Sequence, residues 1–380
     1  MSHYDFIIMG AGAAGLLLAD ALGKDAFFAS KSILILEKGF KSQNDRTWCY
    51  WEKGKGDFDS LIHKKWDNIY VAGKKLRLST SIAPYAYKMI QGIDFYKYYV
   101  SKVKSYTNVT WVQEQVDGVE ENENTVLVKT EKNVYSGEVI FNSIFDSGSL
   151  KQQKEFPVLQ QHFLGWFIQT EKPVFDPEKA TFMDFSIPQK GNTRFMYVLP
   201  FSESEALVEY TLFSEKLLKK EVYEKAIASY MVEEYNNVSY QIMEKEFGTI
   251  PMTCYPFHKR NTERIFYIGI AGGWAKPSTG FTFYNTSKQV KALVDHLKQD
   301  KSLTQFHKKN RFHFYDMLLL DVLSSHNHKG RSIFESLFKK RKASLILKFL
   351  DNETSIWEEL KVMNACPKFP FLRALLNRMF

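Results

Sequence analysis

Cysteine is scarce in this chain of 380 residues: three in all, Cys49, Cys254 and Cys366, with no C-x-x-C pair. An odd, dispersed set offers neither a disulfide framework nor a zinc site, so no metal is expected, and it points to a reducing compartment. Long apolar runs are missing too. None approaches the roughly 18 to 20 residues that a spanning helix needs. Phe6 to Leu22 is rich in apolar residues, but no basic segment precedes it and three glycines interrupt it. It reads as part of the fold rather than a secretory signal. Internal repeats and low-complexity linkers are also absent. Net charge is lacking over most of the length: residues 1–300 hold 36 Lys and Arg against 36 Asp and Glu. The whole formal excess of +8 falls in residues 301–380, with 15 basic and 7 acidic side chains. Such asymmetry points to an acidic partner, either an anionic membrane or nucleic acid.

Hydrophobic residues make up 44% of the chain, enough for a sizeable core, and aromatics reach 15%. That aromatic surplus suits a large apolar cavity, and ordinary core packing accounts for it equally well. Asp5 to Met9 and Ser32 to Leu36 read as short buried parallel strands, with helical character between them through Leu22. Asn68 to Leu78 reads as a hairpin turning at Gly73-Lys74, and Asp94 to Tyr106 as a helix. Val109 to Ile144 breaks into several strands around the polar turn Glu120 to Asn124. Gln160 to Thr253 is mostly strand, with one helix near Lys219 to Glu234. Ile265 to Gly269 is a further strand, Ser278 to Lys298 reads as a helix, and helices dominate from Thr304.

Gly10-Ala11-Gly12-Ala13-Ala14-Gly15 follows the first strand directly. A bare G-x-G-x-x-G is weak, but here a strand precedes it, a helix follows, and Glu37 ends the next strand. Gly10 permits the tight turn, Gly12 lets a pyrophosphate approach the backbone, and Gly15 lets helix and strand pack closely. The helix N-terminus, at Ala13 and Ala14, offers free N–H groups to phosphates, and Glu37 can accept from ribose hydroxyls. A second glycine-rich turn, Gly269 to Gly273, again lies after a strand and before a helix. Two distant glycine turns and a strand-rich insertion favour FAD over NAD as the bound dinucleotide.

Three segments resemble one family, the lycopene β-cyclases of carotenoid synthesis. Asn44-Asp45-Arg46-Thr47-Trp48-Cys49-Tyr50-Trp51 is similar to the family's segment after the ribose-binding acid. Gly272-Gly273-Trp274-Ala275-Lys276-Pro277-Ser278-Thr279-Gly280-Phe281 resembles its late glycine-rich segment, and Leu207-Val208-Glu209-Tyr210-Thr211 its glutamate-bearing strand. Gly248 to Met252 is similar to a further Gly-x-Leu-Pro-Ile element. Two departures stand out: Ile270 occupies the place where flavoproteins of the wider group carry an Asp, and Tyr210 replaces the second Glu of a Glu-Glu-Thr motif.

The resemblance implies a redox-neutral cyclisation. A linear polyene end of lycopene or a related acyclic carotene is protonated, a ring closes through a tertiary carbocation, and a proton is lost. It implies Glu209 as the acid, and Arg46, Gly269, Gly272, Gly273, Thr279 and Gly280 beside the first glycine motif as FAD-binding positions. It also implies that the flavin acts reduced, with NAD(P)H as reductant. On a strand, Leu207, Glu209, Thr211 and Phe213 share one face. A carboxyl among apolar neighbours holds its proton to higher pH and can act as an acid. A solvent-facing strand glutamate is the alternative, for which Glu205 on the same face argues. Trp48, Tyr50, Trp51, Phe281, Phe283 and Tyr284 can present ring faces to a cation or simply pack. His258 reads as a solvated loop residue, with a proton relay as the alternative. Lys276 reads as a phosphate or flavin contact, or as a surface lysine.

Lys339 to Lys342 adjoins the apolar stretch Ala343 to Leu350, and Phe369 to Phe380 interleaves apolar residues with Arg373 and Arg378. These read as amphipathic helices able to rest on an anionic bilayer, or as a helical subdomain packed on the body. No recognised nucleic-acid-binding motif is present. The fold class expected is α/β: a Rossmann-like FAD-binding lobe (1–150 and 255–300), an inserted antiparallel β substrate domain (151–254) and a basic helical C-terminal region (301–380). The location expected is cytoplasmic, peripheral on the cytoplasmic membrane face. A flavin-dependent hydroxylase or reductase of a long isoprenoid, and a non-catalytic prenyl-lipid-binding protein, remain open at this point.

Overall fold

The strand Ser2–Met9 becomes completely buried over its last four residues, Phe6 to Met9, as a central parallel strand must. It pairs in parallel with Ile33–Leu36 on one side and Val134–Asn142 on the other. Val109–Val112 and Ile265–Tyr267 extend this parallel core, and Val126–Thr130 and Val116–Glu121 add an antiparallel edge. The helix Ala13–Gly23 packs over the first sheet beside Gly92–Lys104 and Phe283–Leu297. The computed structural model describes residues 1–308 and 310–379.

A second sheet runs in the order Tyr240–Met252, Leu159–Thr170, Glu205–Ser214, Thr193–Pro200, Lys179–Asp184, Asn68–Ala72, Arg77–Ser81. Its first five strands are antiparallel, as the linear reading has it. The hairpin near Gly73 forms, yet it does not stay in the first sheet. Asn68–Ala72 pairs in parallel with Lys179–Asp184, so the N-terminal half of the chain contributes two strands to the second sheet. A small third sheet, Thr47–Lys53, Tyr85–Gln91 and Lys64–Trp66, bridges the two.

Two further expectations change. The helix expected from Ser278 begins only at Phe283, because Lys276 to Gly280 closes a turn, with Gly280 N donating to Lys276 O at 2.8 Å. The apolar stretch Ala343–Leu350 is a helix, but it points inward: Ile346 and Leu347 are buried in the core shared with the second sheet. Beyond Leu350, the exposed large apolar side chains lie on the next two helices, Ile356–Met363 and Lys368–Met379. Phe380 and the side chain of Met379, expected to close the amphipathic tail, lie outside the described residues. Among the described residues, no helix is long and apolar enough to cross a membrane.

Candidate active site

At the end of the first strand Gly10 turns with φ +90°, and its N donates to Leu36 O at 2.8 Å. A Cβ at Gly15 would stand 2.0 Å from Gly10 O, so only glycine lets the helix sit this close to the loop. Glu37 is buried and braces the same loop. One carboxylate oxygen accepts from Ala11 N at 2.7 Å, the other from Gly39 N at 3.1 Å, and Lys41 Nζ lies 3.3 Å away. A side chain at Gly12 would meet only open space. The first-turn amides of the helix have no acceptor within it, and they face that space. The late turn arrives beside them: a Cβ at Gly269 would lie 2.8 Å from Ala14 Cβ. The two glycine segments therefore converge.

Between them opens a cavity of about 410 Å3. Gly12, Ala13, Ala14, Arg46, Trp48, Gly269, Thr279, Gly280, Phe281, Phe283 and Glu209 all line it. Gly10, Gly15 and Glu37 shape the loop behind its wall, and Gly272 and Gly273 shape the late turn. Tyr50 and Trp51 do not reach it: Tyr50 stacks on Tyr284 at 5.2 Å and Trp51 meets the edge of Phe281 at 4.7 Å, both buried one layer back. Three buried polar atoms of lining residues have no partner: Thr279 Oγ1, Thr286 Oγ1 and Gln161 Oε1. Orphaned polar atoms at that depth are costly unless a ligand satisfies them. With the open glycine loop and its free amides, they fit an extended dinucleotide such as FAD. Ile270 lines the wall where a carboxylate was missing, so ribityl hydroxyls would rely on other groups.

The far end of the cavity belongs to the second sheet. Leu207, Glu209, Thr211 and Phe213 line it from one strand, as their period of two requires. Glu209 is 7% exposed, while Glu205 sits at the exposed start of the strand, which resolves the solvent-facing alternative. Thr211 donates to Glu209 Oε1. A second carboxyl, Glu246, also 7% exposed, lines the same wall and accepts from Thr47 Oγ1 at 2.7 Å. It was not among the residues expected. Burial raises Glu209 well above the usual carboxylate range, and the neighbouring Glu246 raises it further. Burial raises Glu246 as well, tempered by the hydrogen bonds from Thr47 and Glu209. Both shifts favour a proton held within the pair, and the larger rise falls on Glu209.

Aromatic rings surround the carboxyls. Tyr197 pairs across strands with Glu209, and its hydroxyl lies 2.5 Å from that of Tyr87. Phe182 stacks parallel to Phe281 at 6.4 Å, and Trp48 stacks on Phe283 at 5.1 Å. Phe195 and Phe213 complete the wall. Burial holds the phenols of Tyr87 and Tyr197 well above their usual range and pushes the Cys49 thiol up to about 12.

Other expected candidates fall elsewhere. Tyr210 points to the opposite face, where its hydroxyl accepts from Arg194 at 2.9 Å. His258 stacks on His307 at 3.7 Å, away from the cavity, and burial lowers its pKa to about 4. Lys276 is neither a surface lysine nor a cavity contact. It is buried in an ion pair with Asp316 at 2.8 Å and tethers the late turn to the C-terminal helices.

Comparisons with known proteins agree with this layout. The family model described as Lycopene cyclase protein matches residues 5–376. No curated protein sequence gives a significant match. Among solved structures, a geranylgeranyl bacteriochlorophyll reductase-like protein from Thermoplasma acidophilum superposes with a TM-score of 0.62 at 14% identity, covering 99% of each chain. A flavoprotein/dehydrogenase from Cytophaga hutchinsonii gives 0.61 at 12% identity, over 100% of this chain and 99% of that one. The flavin-dependent brominase Bmp2 gives 0.59 at 16%, over 99% of each. At such identities the likeness shows a shared fold.

Proposed function

Because the chain belongs to the lycopene cyclase family, we propose that it is a flavin-dependent lycopene β-cyclase, an isomerase that forms β-ionone rings on linear lycopene to give β-carotene. One observation carries this reading: a buried glutamate, its carboxyl held towards the protonated form by burial, faces an aromatic-walled cavity that runs on to the glycine loop. Glu209 donates its proton to the terminal double bond of the polyene. The faces of Trp48, Phe281, Tyr197 and Phe182 stabilise the cation that forms, each contact contributing roughly 0.5 to 2 kcal/mol. The apolar wall keeps water from trapping that cation. Gly12, Ala13 and Ala14 would hold the FAD pyrophosphate, Glu37 would brace the loop that carries them, and Thr279, Gly280 and Thr286 would hold the inner part of the cofactor. When bound and reduced at the expense of NAD(P)H, the flavin supplies negative charge beside the cation without net electron transfer.

The reading is tested with purified protein and lycopene-bearing vesicles under strict anaerobiosis. Reduced enzyme should yield a product of unchanged mass with no NAD(P)H consumed per ring closed. Stoichiometric NAD(P)H consumption, or equal rates with oxidised enzyme, would contradict it.

A lipid-soluble substrate calls for contact with a bilayer, and residues 301–380 offer a surface for it. Ile356, Trp357, Leu360 and Met363 form one exposed apolar helix face, and Phe369, Leu372 and Leu376 form another. Arg341 bonds to Lys361 O at 2.5 Å, which brings the basic run 339–342 beside them. Each of the seven acidic side chains in this region has a partner within the fold, as in Asp321 with Arg378 and Glu359 with Arg311. Lys339, Lys342, Lys361, Lys368 and Arg373 are left exposed. An apolar face rimmed by free cations suits an anionic membrane surface.

A further inference from the structure

Leu159–Thr170 is the strand between the two carboxyl-bearing strands, and Gly165 is the residue in register with both. It pairs with Glu209 on one side and with Glu246 on the other. A Cβ at Gly165 would stand 2.8 Å from Leu207 Cδ1, 3.2 Å from Glu246 Cγ and 3.4 Å from Glu246 Oε1. The missing side chain leaves Glu246 room to fold over the middle strand, and Glu209 and Glu246 lie on the same face to either side of it, close enough for each to shift the other's pKa.

Two carboxyls that share one buried site do not both ionise, so the pair holds one proton near neutral pH. Each carboxyl accepts from one threonine hydroxyl, Glu246 from Thr47 and Glu209 from Thr211, and burial with the Glu246 charge raises Glu209 the further. An acid-initiated ring closure needs such an arrangement twice over. It begins with a proton donor and ends when a base removes a proton from a carbon next to the cation. Along the inner cavity wall, the Cys49 thiol and the Tyr87 and Tyr197 phenols stay protonated. Asp45 is exposed at the glycine-loop end. Beside the Glu209 carboxylate left by proton donation, Glu246 is the described carboxylate on that wall able to accept a proton there.

Resting on the cyclase reading above, we propose that Glu246 is the terminal base of the reaction and determines where the ring double bond forms. The Glu209 carboxyl gives its proton to the terminal C=C. The next double bond attacks the resulting cation, forming the ring C–C bond and moving the charge to a second tertiary carbon. The Glu246 carboxylate removes a proton from the adjacent ring carbon, and that C–H electron pair becomes the ring double bond. The proton then passes from Glu246 back to Glu209 within the carboxyl pair, so the pair is restored and the product is an isomer. The protonated and deprotonated carbons flank one ring atom, which matches an acid and a base side by side.

The test compares wild type, Glu246→Gln and Glu246→Asp on lycopene, with flavin content as the check of folding and ring isomers separated by chromatography. Glu246→Gln should lower turnover roughly 100-fold or more. Its residual product should shift towards rings with the double bond elsewhere or towards hydrated ends, and Glu246→Asp should recover the β ring. The wild-type pH profile supplies a measurement independent of variants: a bell, whose acidic limb disappears in Glu246→Gln. A folded Glu246→Gln enzyme that makes only β rings at the wild-type rate, or a wild-type profile with no acidic limb, overturns the assignment. A wild-type protein that closes no ring overturns the cyclase reading and this role together.

Discussion

The strand Glu205–Ser214 has two faces, and both bury polar groups among apolar ones. On the face turned to the helix Lys220–Glu234, the ionisable and hydroxyl groups pair with one another, and among the described residues only the ring and guanidinium nitrogens Trp166 Nε1 and Arg194 Nε lack a partner. His162 has partners on both ring nitrogens, Ser214 at 2.7 Å and Tyr223 at 2.6 Å, and Arg194 bonds to Tyr210. On the cavity face, two carboxyls share one proton, and Thr279, Thr286 and Gln161 keep orphaned atoms. The closed face is arranged for stability. The cavity face turns its orphaned atoms and its carboxyl pair towards an open space that a ligand can fill, as a catalytic site requires.

Substitutions should separate the faces. Glu209→Gln should lower cyclisation by roughly 100- to 10,000-fold while leaving the urea midpoint at pH 8 equal or higher, because it removes a desolvated acid. Activity and denaturation curves on the same preparation check this. On the closed face, His162→Ala should cost about 2–4 kcal/mol of stability, since it opens a cavity and leaves the Tyr223 hydroxyl without its acceptor. Turnover per folded molecule should stay within a few-fold of wild type.

The faces should also respond to pH with opposite sign. Folding raises the pKa of Glu209 and Glu246, so their contribution to stability is full below the unfolded carboxylate pKa and is lost as pH rises through the folded values. Folding lowers His162 to about 4, so its contribution is full above the unfolded histidine pKa, near 6.5, and is lost as pH falls towards 4. Each group changes stability by at most about 1.4 kcal/mol per pH unit. Urea midpoints between pH 4 and 9 should flatten on the alkaline side in Glu209→Gln and on the acidic side in His162→Ala. The smallest effect on the fold belongs to the exposed helix face: Trp357→Ser with Leu360→Ser should change stability by within about 0.5 kcal/mol. Partition to anionic vesicles should nevertheless fall several-fold and vanish at high salt. Unchanged partition would remove this face from the membrane proposal.

The glycine loop was legible in sequence because every signal is local: strand, turn, helix and acid follow one another within forty residues. Glu209 was legible as a face of a strand, by period two and by resemblance. Glu246 was not. It lies on an edge strand whose residues Gln241 to Lys245 are exposed, so its own neighbourhood reads as solvated. Its burial comes from Gly165 and Thr47, both remote along the chain. The hairpin at Asn68–Ser81 escaped its sheet for the same reason, since its parallel partner at Lys179–Asp184 is long-range. Nor does sequence separate Tyr50 and Trp51, one layer behind the cavity, from Trp48, which lines it.

The central claim is that a buried proton on Glu209 starts ring closure. Expression of wild type and Glu209→Gln in a lycopene-accumulating bacterium tests it most directly, with protein levels matched and carotenes separated. The account predicts a change from red to orange-yellow with the wild type, as ring-closed carotene replaces lycopene, and persistent red with Glu209→Gln. Equal conversion by the two proteins would contradict it.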